Sequence, residues 1–239
     1  MATRMGPLLL LTCLSYRAGP PAVHVKAAAA PGRGGTLTPA SRRPVILHPF
    51  RRMVAMKGRV FTEFFAHVEA CHGADMVDDI IEAARLPHHG AYTSTGSYPF
   101  QEMVSLVTAL TEATGQPLPV VLEAFGTHCF ESWVGYAPQY FATSRSLFDV
   151  LEGIDQFHET EVRKLYPDAE LPSFVPERRD GRTLVLGYRS CKPLAPLALG
   201  VIRGAAAHLS QPVALRCEPA EDARGPYTRI HVELLRPAG

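Results

Sequence analysis

From Met56 onward the apolar positions of the chain recur at helical spacing. Val60, Phe61, Phe64, Phe65 and Val68 fall at i, i+3 and i+4 intervals, which predicts an amphipathic helix ending near Gly73. Met76, Ile80, Ile81 and Ala84 predict a second, shorter helix ending before Pro87. Residues 87–98 are rich in His, Gly, Ser and Thr and read as a loop. Met103, Val104, Val107 and Leu110 mark a third helix closed by Gly115. Pro119 opens a fourth, at a position that tolerates proline, and Val121, Leu122, Phe125 and Phe130 carry it to about Trp133. Residues 138–141 read as a break, and 144–166 as the longest helical stretch.

After Pro167 the period changes. Residues 183–188 read as a strand with Leu184, Leu186 and Tyr188 on one face, and 196–209 as a helix. Residues 213–217 and 227–235 read as strands joined by a polar loop containing Gly225-Pro226. In the last strand Ile230, Val232 and Leu234 alternate with Arg229, His231 and Glu233, so one face is buried and the other wet. The expected class is α+β: an N-terminal helical subdomain followed by a small, mainly antiparallel sheet with an inserted helix. No internal repeat is visible.

Composition divides the chain at about residue 55. Residues 1–55 hold eight Lys and Arg and no Asp or Glu, so all 23 acidic residues lie in 56–239, against sixteen basic ones, a net −7 there. A body this acidic argues against nucleic-acid binding, which needs clustered cations. Residues 1–55 read as an N-terminal extension set apart from a 56–239 domain. Three readings compete: a signal peptide with its apolar core at 8–11 and small residues at 27–30, an organelle transit peptide, or an over-extended gene start. No apolar run approaches the roughly 18 residues of a membrane span. The five cysteines are widely spaced, which suggests free thiols in a reduced, cytoplasmic setting. Cys71-His72, His88-His89 and His128-Cys129 are adjacent pairs, unsuited to a structural zinc site, and with only Cys191 and Cys217 in the C-terminal part no zinc is expected. The chain has neither a phosphate loop context at 32–35 nor a Gly-x-Ser-x-Gly elbow.

The chemistry concentrates on the stretch 151–167. Leu151, Ile154, His158, Val162 and Leu165 form one helical stripe, which sets His158 in an apolar face. A buried neutral imidazole must find a partner or lose solvation. That partner is a backbone carbonyl in an ordinary core, and iron in a heme protein.

The run His158-x-x-Glu-Val-x-Lys-Leu-Tyr-Pro, continuing to Leu171-Pro172, resembles the proximal segment of heme-nitric oxide/oxygen binding (H-NOX) domains. Met56-Lys57-Gly58, Glu123-Ala-Phe125-Gly126 with Trp133 after it, and Tyr140-Phe141 are similar to the same family, and the similarity runs from Met56 to about Leu235. The resemblance implies a b-type heme held between the helical and sheet parts, with His158 as axial ligand. It also implies a propionate clamp of Tyr188, Ser190 and Lys192, with Lys where the family has Arg, a flexible point charge in place of a planar fork. Pro172 matches the proline that packs on the porphyrin and distorts it.

Carried over position by position, the distal pocket comprises Val60, Phe64, Cys129, Phe130, Trp133, Leu197 and Val201. The oxygen-binding branch places a tyrosine where this chain has Leu197. An apolar pocket without that donor implies a sensor of NO, and of CO, that discriminates against O2. The implied mechanism is a switch: NO binds opposite His158, weakens the bond to iron, and the two parts of the domain shift. Signalling is then expected in trans, to a histidine kinase or a cyclic-di-GMP enzyme, with no membrane or nucleic-acid partner and no enzymatic activity. The alternative is a heme-free ligand-binding or scaffold module of the same fold, with Lys192 marking a lost clamp.

Overall fold

The computed structural model of the chain describes residues 54–142 and 146–235. The readings made for residues 1–53 and for 144–145 lie outside the described residues.

The helical part follows the sequence pattern closely. A short strand β1 (Ala55–Lys57) leads into α1 (Gly58–His72), then α2 (Ala74–Ala84), a loop, β2 (Ser97–Pro99), α3 (Phe100–Thr114) and α4 (Leu118–Tyr136). Gly115 takes a left-handed φ of 67° and donates its N–H to the Thr111 carbonyl, which stops α3 as expected. The β1–β2 pairing, with Met56 opposite Tyr98, was not legible because each strand has only three residues. It takes in Ala55, and Val54 accepts from the Phe100 N–H at 2.9 Å. A Cβ at Gly58 would run into the Thr93 carbonyl and the Tyr98 ring, so the turn into α1 needs glycine. The loop is latched by Glu102, which is buried and accepts from Tyr92 at 2.6 Å while His88 Nδ1 lies 2.9 Å away.

The stretch 138–166 corrects two expectations. The expected break at 138–141 is a short helix, α5 (Pro138–Ala142), because a proline at the first position forfeits only an N–H that has no helical acceptor. The expected long helix is divided into α6 (Leu147–Glu152), α7 (Ile154–Phe157), a π turn over His158–Val162, and α8 (Arg163–Leu165). The Ser146 hydroxyl caps α6 by accepting from the Asp149 N–H at 3.2 Å. A π turn carries an extra residue, so whatever follows is rotated by about 100° relative to an unbroken α-helix. Leu165 therefore leaves the apolar stripe it was expected to share and is 74% exposed.

The sheet has four antiparallel strands in the order β3-β4-β6-β5: β3 (Ser173–Arg179), β4 (Thr183–Arg189), β5 (Val213–Asp222) and β6 (Gly225–Leu234). The inserted helix α9 (Ala195–His208) precedes β5. Strand β3 was missed because Pro176 interrupts its pattern. It is an edge strand with a register shift between Pro176 and Arg178, and an edge is where a strand proline is tolerated. The expected polar loop at 218–226 is mostly sheet: β5 runs on to Asp222, which pairs with Gly225 across a two-residue turn at 223–224. Gly225 has φ 99°, a conformation a side chain resists.

Two apolar clusters fill the interior. One joins Phe61, Phe64, Val68, Leu106, Leu110 and Phe125 of the helical part. The other joins α6 and α9 to one sheet face through Leu147, Leu151, Ile202, Leu184, Leu186, Ile230 and Val232, so the predicted strand faces are the buried ones. Helices α4 and α9 cross between them at backbone contact distance. A Cβ on Gly126 would meet the Leu197 carbonyl, one on Gly200 the Glu123 carbonyl, and Thr127 donates to the Gly200 carbonyl at 3.1 Å. The α+β expectation holds, and no helix among the described residues is long and apolar enough to cross a membrane.

Candidate functional site

His158 opens the π turn, and a turn of this kind inside a helix recurs at functional sites. Asp155, one turn earlier, accepts from the Phe174 N–H at 2.8 Å and so ties α7 to the start of β3. Arg179 on β3 pairs with Asp149 at 3.1 Å and with Glu152, which binds α6 to the same strand. The rings of Tyr140 and Phe141 meet that of Phe157 at a tilt, with centroids 4.6 and 6.5 Å away, which packs α5 against this segment.

Burial holds the His158 imidazole below its ordinary pKa, against the opposing pull of Asp155 and of the Pro172 carbonyl. The ring therefore favours the neutral form, the form that can ligate a metal. Three buried side-chain nitrogens among the described residues lack a hydrogen bond: in Arg59, His128 and His158. The first two lie against Glu63, at 2.6 and 3.4 Å. Nδ1 of His158 makes no ion pair among the described residues, while the Pro172 backbone bonds to the ring. A buried imidazole nitrogen without a partner is costly unless something else bonds to it.

The expected clamp residues meet at the turn from β4 into α9. Tyr188 is buried against Phe174, with ring centroids 5.1 Å apart. Burial pushes its hydroxyl up to about 12, with the Ser190 hydroxyl beside it opposing, so it is a permanent proton donor. Ser190 is exposed, and its Oγ accepts from the Lys192 N–H at 3.1 Å, which shapes the turn. Lys192 is 6% exposed. These three residues line a depression of about 240 Å³ together with Leu194, Pro226 and Tyr227. Sequence reasoning missed Glu170, whose Oε2 lies 3.3 Å from the Lys192 ammonium. A lone acidic residue in a loop carried nothing that marked it.

The expected distal residues divide between the two clusters. Phe64 and Cys129 belong to the helical cluster, with Val60, Trp133 and Leu197 half-buried against it. Phe130 belongs to the sheet cluster, edge-to-face with Phe141 at 5.2 Å, and Val201 packs there as well. The α4–α9 crossing puts residues 129–133 and 197–201 on adjoining helices. Burial holds the Cys129 thiol well above its ordinary range, so it stays protonated. Pro172 is half-buried at the entry to β3, with its carbonyl near the His158 ring.

These residues fit a heme. A buried neutral imidazole with one unpartnered nitrogen suits the iron. A buried ammonium with neighbouring hydroxyls suits the carboxylates, and apolar side chains suit the porphyrin face.

Comparison with known proteins agrees. The profile of the haem-NO-binding family matches residues 57–217. No curated protein matches the chain. Among solved structures, the Fe(II) unliganded H-NOX protein from K. algicida is 32% identical, with 77% of this chain and 99% of that chain covered and a TM-score of 0.70. The H-NOX protein from S. oneidensis in the Fe(II)NO ligation state is 24% identical, covers 76% and 100%, and has a TM-score of 0.66. An oxygen-binding H-NOX domain related to soluble guanylate cyclases is 18% identical, covers 76% and 96%, and shares the fold at a TM-score of 0.64. With two thirds of its length inside the family profile and 32% identity to a solved H-NOX protein over 77% of the chain, this chain belongs to the haem-NO-binding (H-NOX) family.

Proposed function

We propose that the protein is a cytoplasmic, heme-based sensor of NO and CO, with residues 56–239 as its sensing domain and residues 1–55 outside it. The observation that carries the reading is the buried, neutral His158 imidazole, whose Nδ1 lacks a hydrogen-bond partner among the described residues, in a chain of this family. His158 would hold the iron of a b-type heme, and Tyr188, Ser190 and Lys192 would hold its carboxylates. When bound, that heme supplies the iron at which a diatomic gas is captured.

The chain's own residues do the rest. The π turn and the Asp155 anchor aim the imidazole and tie its position to β3. Pro172, whose carbonyl lies near the His158 ring, would pack against the porphyrin. Val60, Phe64, Phe130, Trp133, Leu197 and Val201 would supply apolar contacts to the porphyrin and exclude water. The Cys129 thiol, kept neutral by burial, is a weak donor at most. Bound O2 carries partial negative charge and needs a strong donor, which Leu197 does not provide, so NO and CO are favoured. Movement of His158 would pass through Asp155 to the sheet, a local event read by a partner in trans, a histidine kinase or a cyclic-di-GMP enzyme. The protein then acts as a sensor and not as an enzyme.

The test is an absorption spectrum of the ferrous protein with and without NO, alongside His158→Gly. A Soret band that moves with NO, and that is lost in the variant until imidazole is added, is the expected result. A colourless protein that refuses added hemin sinks the reading in favour of a heme-free module of the same fold. A stable ferrous–O2 spectrum in air sinks the gas selectivity alone.

A further inference from the structure

Lys192 is buried, and a buried ammonium needs a counter-charge. Its partner comes from the segment between the π turn and β3. Glu170 offers both its side chain and its backbone: Oε2 lies 3.3 Å from Nζ and the carbonyl oxygen 3.4 Å. The Cys191 thiol adds a third contact, 3.5 Å from Nζ and 3.8 Å from Glu170 Oε2. Glu170 stands two residues before Pro172, whose carbonyl is near the His158 ring. Two residues of backbone thus separate the partner of the clamp cation from the neighbour of the axial imidazole.

We propose that Glu170 is the exchangeable counter-ion of Lys192 and determines how tightly this chain holds a carboxylate-bearing porphyrin. The inference rests on the heme reading above. A lysine presents one compact charge, so a propionate arriving at Nζ must share it with Glu170 or displace that carboxylate. Both effects oppose retention. Like charges at this spacing repel, and breaking the internal pair costs what it contributed. Removing the Glu170 charge acts in the same direction twice: it ends the repulsion, and it leaves Lys192 needing an outside carboxylate.

The experiment measures hemin release to excess apomyoglobin from the full-length wild type, Glu170→Gln, Lys192→Gln and the double variant. Glutamine keeps the shape and a carbonyl acceptor at 170. Glu170→Gln is expected to release hemin about tenfold more slowly, the equivalent of about 1.4 kcal/mol. Lys192→Gln should release it faster, and the double variant should lose the gain of Glu170→Gln. Hemin dimethyl ester, which has no free carboxylates, should leave wild type and Glu170→Gln at the same rate. A second readout guards against a folding defect: the rise in Tm on adding hemin should be larger for Glu170→Gln than for wild type. Unchanged or faster release from Glu170→Gln, or an equal slowing for the dimethyl ester, overturns the proposal while leaving the heme reading intact. A wild type that takes up no hemin overturns both.

Discussion

Acid should weaken this fold through His67, a residue outside the proposed heme site. His67 is 7% exposed on α1, packed on Phe125 at 5.8 Å, with His128 of α4 at 5.2 Å. Cys71 and His72 are near it on its own helix, Cys71 with Sγ 3.7 Å from Nδ1, and Glu63 approaches His128. Burial, followed by repulsion from His128 and His72, lowers the imidazole from 6.5 to about 4. The unfolded chain therefore takes up this proton near 6.5, and the folded one only near 4. Between those values the unfolded state binds more protons, so stability falls as the pH falls and levels off below about 4. Each pH unit across the interval is worth about 1.4 kcal/mol, so the loss reaches about 2 kcal/mol at pH 5 and about 3 kcal/mol at pH 4. Urea unfolding of wild type and His67→Gln at pH 7, 6, 5 and 4 measures it, because titrations common to both chains cancel in the difference. The wild-type curve should drop away from the variant's by about those amounts. Parallel curves over the whole range would refute the argument.

Three further outcomes follow from the packing. Gly126→Ala places a methyl against the Leu197 backbone and should force α4 from α9, costing about 1–3 kcal/mol in chemical denaturation, whereas Gly135→Ala, with open space around it, should not. Phe61→Ala empties a fully buried site stacked on Tyr92 at 4.2 Å and should cost about 3–5 kcal/mol; a smaller loss would mean that the helical cluster collapses around the gap. Asp155→Ala removes the acceptor of the Phe174 N–H and should cost about 1–3 kcal/mol in Tm-derived stability while also speeding hemin release, since the π turn loses its tie to β3.

Much of this protein was written in its apolar spacing. The stripe of Phe61, Phe64 and Val68, the stop at Gly115 and the alternation of Ile230 and Val232 each reflect a local rule, burial of one face of one element, and the structure buries those residues. His158 and the 188–192 turn were singled out for a different reason, as motifs whose residues lie close in sequence. What the tertiary structure alone decided involves partners far apart along the chain. Pro176 sits in a strand only because that strand is at a sheet edge. Leu165 points outward only because a π turn upstream shifts the helix phase. The distal residues divide between two clusters because Gly126 and Gly200 let two helices meet at their backbones. Glu170 became the partner of Lys192 through a fold that closes 22 residues of chain. Local pattern fixes which face of an element is greasy, since that depends on one helical or strand period. Which charge meets which depends on how the elements are stacked, and no period along the sequence encodes it.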